Sequence, residues 1–171
     1  EARRENAPGA MQLLVPDALL QRVETRERLA AARAAMGRAR ELLPRTVNGF
    51  VYLERTLPDG RVRRGLVGCV DLEAYDYREG SNSPIRPTER TVPQRIPARL
   101  AVREAATLEL PHILLLIDDP QRSVIEPVVA IRDELEKAYD TPLMLGGGQL
   151  TGWFIPEGPL PDKIQQALET L

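Results

Sequence analysis

The sequence predicts an α+β protein, a mixed β-sheet with packed helices whose elements run roughly in the order α-β-β-α-β-α-β-β-α. Three stretches carry that reading. Residues 22–43, "RVETRERLAAARAAMGRARELL", are dominated by strong helix formers. Two extended runs, "VNGFVYLERTL" and "RVRRGLVGCVDLEAY", flank Pro58, Asp59 and Gly60, the turn chemistry that reverses an antiparallel pair. "HILLLID" is a short apolar run closed by Asp118, Asp119 and Pro120, as expected of a buried strand ending in a turn.

Taken in order, residues 1–15 are a polar lead and residues 16–171 a single α+β domain, read as a fragment of a longer protein because the chain begins without methionine. Asp17 can cap a turn, and Val23, Leu29, Ala32, Met36 and Leu43 approximate an apolar stripe on the first helix, which Pro44 ends. The second strand of the hairpin has apolar residues on both faces and reads as central, with Cys69 buried and inert within "LVGCVDL". Residues 98–108 have helical composition, as do residues 124–139. "PLMLGGGQLTGWFI" reads as two short strands around Gly146, Gly147 and Gly148, and residues 161–171 as a last amphipathic helix.

Composition excludes several function classes. Charged residues make up 28% of the 171 and the net charge is −2, so no global field draws the chain to nucleic acid or membrane, and any anion site must be local. No apolar run approaches the ~18 residues of a spanning helix. A lone cysteine forms no internal disulfide, which favours a reducing, cytoplasmic setting. With one Cys and one His, a zinc site is not expected, and no other metal site is assigned.

The candidate site is "SPIRPTERTVPQRIPARLAVR", residues 83–103. Pro93 and Pro97 stiffen the approach to a helix, and Ile85, Val92 and Ile96 are expected to anchor the segment against the sheet. Arg95, Arg99 and Arg103 recur every four residues and stack on one helical face once the helix has begun by Pro97. With Arg86 and Arg90 they present guanidinium forks suited to phosphate or carboxylate, and Thr88 and Thr91 add hydroxyl donors. Glu89 is the carboxylate able to act as base or to hold a metal ion. The alternative is that Glu89, Glu104 and Glu109 simply pair with these arginines on a solvated helix. His112 reads as packing or capping, and Asp118 and Asp119 as ligand carboxylates or turn formers. Gly146 to Gly148 read as a hairpin rather than a phosphate loop, and Asp71, Glu73 and Asp76 as oxygen ligands or a strand leaving the core.

"RRGLVGCVDLEAYDY", "SPIRPTERTVPQRIPARLAVRE", "LELPHILLLIDDP" and "YDTPLMLGGGQLTGW" together resemble the middle portion of a prokaryotic family known as domain of unknown function 1015. The resemblance runs from about Leu14 to the C-terminus. Longer members resemble the ParB/sulfiredoxin-like group, which includes nucleotide-dependent free serine kinases, and carry an Asp-Gly-(Asn/His)-His-(Ser/Arg) motif further downstream that this chain lacks. The resemblance implies a central piece of a protein that binds a phosphate-containing small molecule or nucleotide, with Mg as the accompanying ion, and that is kinase-like at full length. Glu89 would then orient a hydroxyl or a metal while the arginines neutralise the transferred group. The other reading is a non-catalytic interaction or regulatory module, including a ParB-like nucleic-acid binder, which the acidic isoelectric point near 5.6 disfavours. Oligomeric state is not encoded in any of these features.

Overall fold

A computed structural model describes residues 25–41, 48–87, 92–104 and 112–171. The chain divides into two compact units, residues 1–45 with 87–115 and residues 46–86 with 116–171. The α+β class and the rough order of elements are as the sequence predicts, with every pairing among the four described strands antiparallel. The polar lead lies outside the described residues.

In the first unit, helix α1 (Thr25–Glu41) places Glu27 in its first turn and Arg38 and Arg40 in its last, complementing the helix dipole at both ends. Ala32, Ala35 and Met36 are buried, at the i, i+3, i+4 spacing of one face. Of the expected stripe, Ala32 and Met36 hold and Leu29 is half-buried, while Val23 and Leu43, like Asp17 and Pro44, lie outside the described residues. A 3-10 turn, Pro93–Arg95, runs into helix α2, Ile96–Glu104, so the helix has begun before Pro97. Val92 and Ile96 are exposed instead of anchoring, and of the three expected anchors Ile85 alone is half-buried.

The second unit is built on four strands, β1 (Gly49–Thr56), β2 (Val62–Val67), β3 (Lys137–Pro142) and β4 (Gln149–Pro156), in the sheet order β2-β1-β4-β3. Strands β1 (Gly49–Thr56) and β2 (Val62–Val67) form the hairpin, closed by Leu57 N–H donating to Arg61 O at 2.8 Å and Gly60 N–H to Leu57 O at 2.9 Å. β2 is an edge strand, not a central one, and it stops before Gly68, where any Cβ would meet the Phe50 ring at 2.6 Å. Cys69, just beyond that end, is therefore exposed rather than buried.

The expected helix over residues 124–139 is cut short. Helix α3 covers Glu126–Ile131, a 3-10 turn follows at Arg132–Glu134, and strand β3 takes Lys137–Pro142. Helix-forming composition yields here to the pairing that β3 makes with β4 (Gln149–Pro156). Their connection holds the triple glycine as a hairpin tip, where Gly148 has φ +93° and a side chain would overlap Thr56 O. Helix α4 (Pro159–Glu169) starts on proline at its first position. The core forms on one sheet face, where Tyr52, Trp153 and Ile155 meet Val124, Val128 and Ile164. The segment 112–117 forms no strand, and Ile113, Leu114 and Leu116 are each more than 80% exposed, which corrects the expectation of a buried strand. No ladder partner for it exists among the described residues, and an unpaired strand has little stability of its own.

Candidate functional site

At the open end of the core the sheet carries a polar row. Strand alternation places Tyr52 and Glu54 on the same face of β1, and the register sets Arg64 and Thr151 on either side of Glu54, with Asp140 beyond Thr151 on β3. Glu54 accepts from the Tyr52 hydroxyl at 2.7 Å, from Arg64 Nε at 3.3 Å, and from Arg132 Nη1 at 2.8 and 2.9 Å through both its oxygens. The Arg132 guanidinium also lies 6.0 Å from the centre of the Trp153 ring, which is 5.5 Å from Tyr52. Burial works to raise the Glu54 carboxyl, but the hydrogen bonds from Tyr52 and Arg132 outweigh it and hold the group below the ordinary glutamate range. Burial, then the hydrogen bond to Glu54 and its charge, push the Tyr52 phenol well above its ordinary value. A charged carboxylate with its oxygens occupied is a poor proton acceptor, so this centre ties the 3-10 turn after α3 to the sheet.

Asp140 is occupied in the same manner. It accepts from Lys137 Nζ at 2.9 Å, from Gln149 Nε2, and from Thr151 Oγ1 at 3.2 Å, and these donors, Lys137 first, lower its carboxyl. Asp119 resolves as a turn former: its carboxylate accepts from Val124 N–H at 2.8 Å and Ser123 Oγ at 3.1 Å, and backbone donation from Ser123 and Val124 helps to depress it. Asp118 and His112 are exposed. Asp71 caps the 3-10 turn Leu72–Ala74 by accepting from Glu73 N–H, and Asp76 is engaged by Arg78 through two guanidinium nitrogens, which hold it far below the usual carboxylate range. Among the described residues no three His, Cys, Asp or Glu side chains group as metal ligands.

The arginine segment is reached in part. Arg86 is exposed, its Nε donating to Ser83 O at 3.3 Å, and Arg95 is exposed in the turn that opens α2. Neither has a carboxylate partner among the described residues, whereas Arg61, Arg64, Arg78 and Arg132 each have one at 2.6–3.3 Å. Thr88, Glu89, Arg90 and Thr91 lie outside the described residues, as do the side chains of Arg99 and Arg103, although positions 95, 99 and 103 fall four apart along the turn and α2. The Glu54 centre was missed in the sequence. Its signal was a glutamate on the apolar face of the run "FVYLERT", two positions from Tyr52.

Compared with known proteins, the chain matches over residues 1–171 the sequence model of a family described as "Protein of unknown function (DUF1015)", and it belongs to that family. No curated protein and no solved structure matches it. No helix among the described residues is long and apolar enough to cross a membrane.

Proposed function

We propose that this member of the family binds a phosphate-containing small molecule or nucleotide, in a cytoplasmic setting, through the arginine-rich segment 83–103. One observation carries the reading: Arg95, in the turn that opens α2, is exposed and has no carboxylate partner among the described residues, as is separately true of Arg86, while four arginines elsewhere are held by carboxylates. A guanidinium left without an acid is a fork of unspent donors that phosphate oxygens fit in pairs. Glu89 is the base or metal-orienting group in this proposal. Isothermal titration of ATP into the chain tests it. Arg95→Ala and Arg99→Ala should each weaken binding at least tenfold, with a steep loss on adding salt, and Arg38→Ala on α1 should leave it unchanged. Equal affinity in all of them rejects the segment as the site.

The exposed apolar run at residues 113–117 favours a second reading, an interaction module that pairs this segment with a partner. In that case Leu114→Asp lowers partner binding and leaves ATP affinity untouched.

A further inference from the structure

The sheet face opposite the core has its own pattern, and none of the preceding chemistry uses it. Its residues lie in rows across the strands, because directly paired residues of an antiparallel sheet share a face. One row reads Gly65, Leu53, Gly152, Tyr139 from β2 to β3, and the next begins Arg63, Arg55. Gly65 carries no side chain beside half-buried Leu53, and a Cβ there would meet nothing within 4 Å, which leaves a low floor. The Tyr139 ring fills the space over Gly152, where a Cβ would come within 2.5 Å of it, and so walls the floor on its β4 side while remaining 39% exposed.

Arg55 and Arg63 stand directly opposite each other and both are exposed. Like charges in that position repel, and the local counter-charge is already committed. Asp59, which feels the Arg63 charge, is engaged by Arg61 at 2.6 and 2.7 Å. Glu54 is on the other face with Arg64 and Arg132. Arg55 donates to Gly147 O at 3.3 Å and has no acid partner among the described residues. The arginine row is one two-residue step, about 7 Å, from the glycine row, which is close to the distance separating a nucleotide's phosphate from its base.

We propose that this face is a mononucleotide site distinct from the segment 83–103, with the phosphate held by Arg55 and Arg63 and the base laid on the floor of Gly65 and Leu53 against the Tyr139 ring. A phosphate answers two paired arginines that no acid answers among the described residues, and a planar ring suits a surface from which a side chain is missing.

Titrating AMP, and separately inorganic phosphate, into the 15N-labelled chain tests the proposal. AMP should shift the amide signals of Gly65, Leu53 and Gly152, and inorganic phosphate should shift signals around Arg55 and Arg63 without those of the floor. The double variant Arg55→Ala/Arg63→Ala should bind AMP at least tenfold more weakly at an unchanged melting temperature, and Tyr139→Ala should weaken AMP but not phosphate. Arg95→Ala should leave all these shifts in place. AMP shifts absent from the floor, or retained in full by the double variant, overturn the proposal. AMP binding abolished by Arg95→Ala instead overturns it in favour of the segment 83–103.

Discussion

Glu54 and Arg55 are neighbours on β1, yet the two-residue period of a strand sends Glu54 to the face that packs with α3 and α4 and Arg55 to the other. On the first face every charge of the Glu54 centre is answered: the carboxylate takes hydrogen bonds from Tyr52, Arg64 and Arg132. On the second, Arg55 faces Arg63 and neither meets a carboxylate within ion-pair distance among the described residues. The difference teaches where charge serves the fold and where it is left for something else. Near a core, an unanswered charge costs too much to keep. On an open face it costs little, so it can persist for a ligand.

The largest expected effect is at the answered centre. Glu54→Gln should lower unfolding free energy by about 1.5–3 kcal/mol, the scale of hydrogen bonds to a charged group, as read from denaturant midpoints. Adding Arg132→Met should recover part of that loss, because the second change removes a cation left with Asp133 as its carboxylate partner at 3.3 Å. The same centre fixes a pH dependence. The folded Glu54 carboxyl lies below its unfolded value of about 4.3, so its contribution is fully present above that pH and is lost as pH falls through the folded value. Acid titration of wild type against Glu54→Gln should therefore show a flatter acid limb in the variant. A variant curve parallel to wild type would remove Glu54 from the account of stability.

The smallest effect, and opposite in sign, is expected on the open face. Arg63→Gln should raise stability by a few tenths of a kcal/mol, since like charges directly opposite each other destabilise a sheet. A loss above about 1 kcal/mol would mean that Arg63 has a structural partner and that the two faces are less different than argued.

The contrast also explains what the sequence disclosed. The hairpin of β1 and β2 is written locally, in Pro58, Asp59 and Gly60 and in alternation on either side, and α1 and α4 are written in composition. β3 is not, because Lys137 to Tyr139 continue a helix-like run and become strand only through pairing with β4. The Glu54–Arg132 bond spans 78 residues and leaves no local trace beyond one misplaced acid on an apolar face. The edge position of β2, and with it the exposure of Cys69, depends on which strand lies beyond, and hydrophobic content does not specify that. Of the candidate arginines, Arg86 and Arg95 are exposed, which both readings of the segment allow, and residues 88–91 at its centre lie outside the described residues.

The central claim is that pairing decides which arginines bind anions, and the Nε–H signals of the arginine side chains report each guanidinium separately. Recorded while inorganic phosphate is added at constant ionic strength, the signals of Arg55, Arg63, Arg86 and Arg95 should move and saturate, while those of Arg64 and Arg132 stay in place. Equal shifts across all six, or movement confined to Arg64 and Arg132, would contradict the account.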